Sequence, residues 1–339
     1  MDSGGDLSQE GMPGEAAHGD LAGEASLAAL IGHLRLRLQE AYGSAGKAWA
    51  ESLPETCARA LTDYRLRMVR ASTTEFSLVM FCSETGSSSS SGKVLKFCMP
   101  AACPQAFDWE LWRAFGSRVV APTTIDEHRD LIVFEQILPG NPLSELARID
   151  DQAATRVMAT VLARFLTAEE VRLPTSAVDL ESWCAPLFSF AKQSLPSEEM
   201  NRHIGGAQDV LMNLAATSSR AVLLHGDLHH ENVLKAGRDT WKVIDPKGVL
   251  AEPAFEVGAL MRNPGPELSA RLDVAAVLRT RLRILHSALG FPQRRMAEWA
   301  YAQAALSYLW ALEDGDEGWA THASRLLDPL RRVLMSCPS

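Results

Sequence analysis

The chain has little of what would send it to a membrane, a nucleic acid or a metal knuckle. Met1 is followed by Asp2, Gly4, Gly5 and Asp6, with neither a basic start nor an apolar core, so no secretory signal is read there. No apolar run approaches membrane-spanning length, which leaves no transmembrane helix to expect. Basic residues are outnumbered, 33 Lys and Arg against 42 Asp and Glu, for a formal net charge of −9. That balance argues against a broad nucleic-acid surface, because phosphate backbones call for basic patches. The six cysteines, at 57, 82, 98, 103, 184 and 337, show no paired spacing, and neither C-x-x-C nor H-E-x-x-H occurs. A zinc site therefore lacks its usual ligand pattern, and the thiols are expected to be reduced, in cytoplasm. There is no internal repeat.

Glycine is also missing where a phosphate-binding loop would need it. Ala71-Ser72-Thr73-Thr74-Glu75, between two apolar segments, contains none and does not match G-x-G-x-x-G. Its small hydroxyl residues could still let backbone N–H groups approach phosphate. Gly86 to Val94 (GSSSSSGKV) resembles a P-loop only superficially: five residues separate the glycines, and Val94 follows Lys93 where Ser or Thr should stand. It reads as a hairpin connection into the next strand.

What is present is a catalytic-loop signature. His225-Gly226-Asp227-Leu228-His229-His230-Glu231-Asn232 is followed by Val243-Ile244-Asp245-Pro246-Lys247-Gly248. The spacing matches the kinase H-R-D-L-x-x-x-N loop and its downstream metal-binding Asp, with Gly for Arg and Asp-Pro-Lys for Asp-Phe-Gly. Those substitutions point to a small-molecule acceptor. A hydroxyl attacking the γ-phosphate of ATP needs an acceptor for its proton, and Asp227 is the candidate base. Mg²⁺ prefers hard oxygen ligands, which Asn232 and Asp245 can offer from the same end of a hairpin. The competing reading is a polar loop in which His225, His229 and His230 bind zinc.

Upstream, Lys93 to Phe97 (KVLKF) alternates polar and apolar residues like a half-buried strand and ends near Lys96, the candidate phosphate-binding lysine. A helix is expected over Cys103 to Phe115, with Glu110 reaching back to hold Lys96. The apolar strand from Asp130 to Pro139 reads as the hinge, with Glu135, Gln136 and Ile137 facing adenine. Residues 1–25 are Gly-, Asp- and Glu-rich and are expected to be a disordered tail. Residues 26–137 form a helical extension, with Leu27, Leu30, Ile31, Leu34 and Leu38 on one face up to Gly43, and a nucleotide-binding lobe. Residues 138–339 form a catalytic and substrate-binding lobe, with helices over 151–167, 179–193, 197–216, 267–289, 292–313 and 320–335. At 339 residues and 47% hydrophobic content, the chain can bury a full core as one two-lobed unit or two domains.

LLHGDLHHENVL and VIDPKGVLAEPAFEVGALMRNP, with AYGSAGKAWAESLP, VLKF, EQILPG and LESWCAPLF upstream, make this chain resemble the aminoglycoside/hydroxyurea antibiotic resistance kinases. These are of the streptomycin 6-kinase type, among the aminoglycoside phosphotransferase-like kinases. The resemblance runs over roughly residues 27–335. It implies an α+β, two-lobed protein-kinase-like fold, with an antiparallel sheet and one helix in the N-terminal lobe and a mainly helical C-terminal lobe. It also implies ATP- and Mg²⁺-dependent O-phosphorylation of an aminoglycoside, streptomycin at its 6-hydroxyl being the first choice. By position, Asp227 would be the base, Asn232 and Asp245 metal ligands, Lys96 the phosphate-binding lysine and Glu110 its partner. A cationic acceptor would suit His230 and the acidic run Glu313 to Glu317, from which Asp314 and Asp316 are candidate contacts. Carboxylates at a helix C-terminus oppose the macrodipole, so that run is either a solvated turn or a cation site. Kinases of hydroxyurea-like or sugar-like acceptors, and a nucleotide-binding pseudokinase, are the alternatives. The sequence leaves the oligomeric state open.

Overall fold

The computed structural model describes residues 24–86, 92–166, 172–191, 195, 197–218 and 220–338. The expected tail and the serine run 87–91 lie outside these, apart from the first residues of α1. Helix α1 (Glu24–Asp63) opens the described chain and kinks at Gly43, whose φ is 60°. The sequence-predicted helix thus stops where expected, and a second helical segment follows directly.

Both segments turn apolar faces onto a five-stranded sheet. Its strands are β1 (Leu66–Thr73), β2 (Ser77–Glu84), β3 (Gly92–Cys98), β4 (Thr124–Asp126) and β5 (Leu131–Glu135), in the order β1-β2-β3-β5-β4. Every neighbouring pair is antiparallel. Side chains alternate across a strand, so Leu78, Met80, Leu95 and Phe97 enter a core with Leu34, Leu38, Ala50, Leu53, Cys57 and Ala60 of α1. On β3 this alternation sends Lys96 to the opposite face.

Between β3 and β4 lies α2 (Trp109–Phe115). The single helix expected over Cys103 to Phe115 is broken instead: a 3₁₀ turn spans Pro104–Phe107, and Asp108 then caps α2 by accepting from the Glu110 N–H. Asp108 competes with the backbone for that N–H, which favours a cap over a helix interior. The buried face of α2 (Leu111, Trp112, Ala114, Phe115) joins the larger core of the rest of the chain.

That remainder is mainly helical: α3 (Leu143–Ile149), α4 (Asp151–Leu166), α5 (Leu180–Trp183), α6 (Ala185–Phe188), α7 (Glu198–Thr217), α8 (Val257–Met261), α9 (Val274–Leu289), α10 (Gln293–Glu313) and α11 (Glu317–Ser336). The expected helix over 179–193 is thus two short ones split at Cys184. Helix α10 is buried on nearly all sides, including Met296, Trp299, Ala302 and Leu306, as befits a central helix with apolar residues all round. Between the helices lie β6 (Val178–Asp179), β7 (Val222–Leu224), β8 (Val233–Lys235), β9 (Trp241–Val243) and β10 (Val249–Ala251). They form a small sheet in the order β6-β10-β7 and the hairpin β8-β9. The fold is α+β, a sheet-built N-terminal lobe joined to a mostly helical one. Among the described residues no helix is long and apolar enough to cross a membrane.

Candidate active site

The β8-β9 hairpin does what the sequence spacing requires. Val233 pairs with Val243, and the Ile244 N–H donates to the Asn232 carbonyl at 3.0 Å. Asn232 and Asp245 therefore flank one open end. The catalytic-loop segment is stitched to that end by His225, whose Nε2 donates to the Ile244 carbonyl at 2.8 Å while Nδ1 accepts from the Asp227 N–H at 3.2 Å. One donor and one acceptor on the same ring require the neutral form. Burial agrees, lowering the His225 imidazole to about 4.

Beneath the loop, Glu256 accepts from the His225 and Gly226 N–H groups at 2.7 and 3.1 Å. Its burial pushes the carboxyl up to about 8 against the pull of those bonds. Gly226 is required here: its φ is 88°, and an added Cβ would stand 2.4 Å from Val249 Cγ2. Left-handed backbone and that close approach together exclude a side chain.

Each central carboxylate is met by cations. Asp227 Oδ1 accepts from Arg262 at 2.7 Å, and His229 Nε2 lies 3.6 Å from Oδ2. His229 Nδ1 accepts from the Glu231 N–H, so Nε2 carries the proton that faces Asp227. Asp245 Oδ1 meets Lys96 Nζ at 2.5 Å and Oδ2 meets Lys247 Nζ at 3.0 Å. Burial alone would raise both carboxyls. The His229 hydrogen bond and the charges of Arg262 and Lys247 hold Asp227, and the charges of Lys247 and Lys96 hold Asp245, well below the usual carboxylate range. Asp245 also has a left-handed backbone, φ 59°, uncommon outside glycine though tolerated by Asp.

The donor set fits a hard divalent cation. Asn232 Nδ2 donates to the Asp227 carbonyl at 2.9 Å, which commits the amide nitrogen and leaves Oδ1 as a ligand. With the Asp245 carboxylate this makes two protein oxygens, the number Mg²⁺ takes when substrate phosphates and water complete its octahedron. A zinc reading finds no support: among the described residues no group of three or more His, Cys, Asp or Glu could hold a metal.

On the nucleotide side, the Gln136 N–H donates to the Gly92 carbonyl at 2.8 Å, extending the β3-β5 ladder. Alternation in an antiparallel pair then turns the backbone groups of Glu135 away from β3, while the Gln136 N–H is spent. The Glu135 side chain pairs with Lys93. Phe134 packs edge-on against Trp112 of α2, centroids 5.7 Å apart. The Asn141 carbonyl accepts from the Lys235 N–H at 2.9 Å, tying the segment after the hinge to β8.

Several expected placements are corrected. Lys96 pairs with Asp245, whereas Glu110 is exposed on α2 and makes no ion pair with Lys96; the break at Asp108 sets the register of α2. His230, expected to face the acceptor, is completely buried, with both ring nitrogens lacking a hydrogen-bond partner. Its neighbour His229 faces Asp227 instead, because the 3₁₀ turn at His230–Asn232 points adjacent side chains apart. Asp316 caps α11 by accepting from the Trp319 N–H at 2.8 Å. Asp314 ends α10 and hydrogen-bonds Glu75 of the β1-β2 turn. Neither touches Asp227, Asn232 or Asp245 among the described residues.

Sequence reasoning missed Arg262, Lys247 and the role of His229. Arg262 had a signal, a charge directly after the apolar run Ala259 to Met261, as did Lys247, a charge enclosed between Pro246 and Gly248.

Comparison with known proteins identifies the family. The family model of the aminoglycoside/hydroxyurea antibiotic resistance kinases matches residues 110–315. A streptomycin 6-kinase of Streptomyces glaucescens is 28% identical over 292 residues, covering 86% of this chain and 93% of that protein. A hydroxyurea phosphotransferase of Kitasatospora aureofaciens is 26% identical over 297 residues, 81% of this chain and 77% of that one. Among solved structures, a variant of aminoglycoside 2'-phosphotransferase-IIIa complexed with GDP superposes with a TM-score of 0.58 at 14% identity, covering 84% of this chain and 98% of its own. With a family match across more than half its length, this chain belongs to the aminoglycoside/hydroxyurea antibiotic resistance kinases and is a phosphotransferase with an alcohol group as acceptor.

Proposed function

We propose that the chain transfers the γ-phosphoryl group of ATP, with Mg²⁺, to a hydroxyl of an aminoglycoside, and that streptomycin at its 6-hydroxyl is the acceptor. The observation that carries this reading is the meeting of Asp227, Asn232, Asp245 and Lys96 at one site, both carboxylates held ionised. A pseudokinase would have no need of all four. The magnesium ion, held by Asn232 and Asp245, would neutralise charge on the phosphates.

The chain's own residues do the rest. Arg262 occupies one oxygen of Asp227 and fixes the plane of the carboxylate. The second oxygen remains for the acceptor hydroxyl and takes its proton as the new O–P bond forms and the bond from the γ-phosphorus to the ADP oxygen breaks. Such general base catalysis is worth about 10²- to 10⁴-fold. His229, beside that oxygen, orients it and can help seat the acceptor. Lys96 reaches the α- and β-phosphates from β3, and the segment Glu135 to Ile137, with the backbone of Glu135 turned away from β3, receives adenine. The net charge of −9 favours approach of a polycationic acceptor. The streptomycin 6-kinase relative, similar over most of both chains, supports the choice of acceptor.

Hydroxyurea is the second reading, favoured by the hydroxyurea phosphotransferase among the relatives. It uses the same machinery with a smaller acceptor. The deciding experiment incubates the purified chain with ATP and Mg²⁺ and either streptomycin, a second aminoglycoside or hydroxyurea. Product mass and the phosphorylated position are read by mass spectrometry and NMR. Streptomycin 6-phosphate as the main product is expected. Turnover of hydroxyurea alone would select the second reading, and no transfer to any acceptor would refute both.

A further inference from the structure

We propose that Lys247 is a second phosphate-binding cation, and that it carries the γ-phosphate during transfer. The inference rests on the phosphotransferase reading above and adds a catalytic residue to it. Both oxygens of Asp245 are occupied by ammonium groups, Lys96 at 2.5 Å and Lys247 at 3.0 Å. A carboxylate that turns an oxygen to a metal–nucleotide complex must release at least one of them. The anionic oxygens then nearest to the released ammonium are those of the nucleotide.

The two lysines approach from different sides. Lys96 stands on β3 in the nucleotide lobe. Lys247 follows Asp245 in the other lobe, and its N–H donates to the His225 carbonyl at 2.7 Å, one residue before Gly226-Asp227. Its backbone is thus fixed beside the loop that carries the base, while about a third of its side chain stays accessible. The charges of both Asp245 and Asp227 act on its ammonium. A transferring phosphoryl group must pass between the carboxylate that binds the metal and the one that takes the acceptor proton, and Lys247 pairs with the first while its charge also acts on the second.

A second observation explains why such a cation is needed. Glycine-rich loops give phosphates a row of free backbone N–H groups. Here the β1-β2 turn has no glycine, its Thr74 N–H is spent on the Ser77 carbonyl at 2.9 Å, and it carries the acidic Glu75. Side-chain charge must then supply what backbone amides do elsewhere, at the point where negative charge develops in the transition state. An ammonium on a flexible stem suits that task, because it can follow the group from donor to acceptor.

The test compares affinities for ADP and for a non-hydrolysable ATP analogue, by calorimetry with Mg²⁺ and with EDTA. It uses wild type, Lys247→Met, Lys247→Arg and Lys96→Met, alongside single-turnover transfer rates. Lys247→Met is expected to lose at least tenfold in affinity for the triphosphate analogue with Mg²⁺ and less with EDTA, where Asp245 keeps its ammonium partners, with ADP binding changed by less than threefold. Its transfer rate should fall by two orders of magnitude or more, and Lys247→Arg should recover part of both. Lys96→Met should weaken both nucleotides alike. Equal losses of ADP and analogue for Lys247→Met, or no loss of either, would overturn the assignment while leaving the phosphotransferase reading intact. A Lys247→Met protein that no longer folds, with Lys247→Arg failing to discriminate the nucleotides as wild type does, would also overturn it. Wild type that binds neither nucleotide would overturn the assignment and that reading together.

Discussion

At the catalytic loop, Asp227 and Asp245 face Arg262, His229, Lys96 and Lys247, and every carboxylate oxygen has a positive or proton-donating neighbour. At the turn between α10 and α11, Asp314 and Asp316 face Glu75 across the gap between the lobes, with Arg37 as the cation at its edge. Arg37 there donates to the Thr74 carbonyl at 2.9 Å and to Thr73 Oγ1 at 3.3 Å. Both regions gather carboxylates and the outcome is opposite. Matched charges hold the loop carboxyls far below their ordinary range. At the turn, loss of water and then the Asp314 charge push Glu75 up to about 7, and Asp314 is itself raised. Clustered acids alone do not make a metal or phosphate site; the cations that accompany them decide which form they take.

The sharpest way to break this contrast is to remove a cation from the loop. Arg262→Gln should lower kcat/KM about tenfold, equivalent to ~1.4 kcal/mol of transition-state stabilisation. It should also raise the acid limb of the kcat/KM–pH profile, because Asp227 would no longer be held so far below the carboxylate range. A merely structural Arg262 would lower activity or Tm and leave the acid limb in place. Parallel thermal unfolding separates the two outcomes.

The effect at the acidic turn is smaller and has the opposite sign. Glu75 keeps its proton in the folded chain up to about pH 7 but loses it near 4.5 when unfolded. Between those values unfolding releases a proton, so stability from the Glu75–Asp314 contact is fully present below pH 4.5 and is lost as pH rises through 7. Glu75→Gln should remove that dependence. Its Tm relative to wild type is expected to rise between pH 5 and 7 and to level off above. A difference that stays flat with pH would show that the two carboxyls share no proton. The groups facing the pair are Arg37 and Tyr42 of α1 and Asp316 of the turn.

Much of this was legible in the sequence because it depends on spacing. Asp227, Asn232 and Asp245 meet since a five-residue step and a tight hairpin leave little freedom, and the alternation of β3 directs Lys96 to the cleft. Strands β1, β2, β3, β5, β8 and β9 and most of the long helices followed from apolar periodicity, whereas the segment of α1 beyond Gly43 did not. What could not be read depended on tertiary pairing. Glu110 was given to Lys96 by analogy of order, but the local competition won by Asp108 broke the helix and shifted its face. His229 and His230 are neighbours with one side chain outward and one inward, and no periodicity in a 3₁₀ turn distinguishes them. Arg262 lies 35 residues beyond Asp227, and its partner could be identified only once α8 was packed beneath the loop.

The central claim is that Asp227 accepts the proton of the attacking hydroxyl at a site otherwise complete without it. Single-turnover transfer from ATP to streptomycin should be compared in wild type and Asp227→Asn, with nucleotide affinity measured on the same preparations. The account predicts that transfer falls at least 10²-fold, within the range for loss of a general base, while nucleotide affinity changes less than threefold. A variant that transfers phosphate at close to the wild-type rate would contradict it.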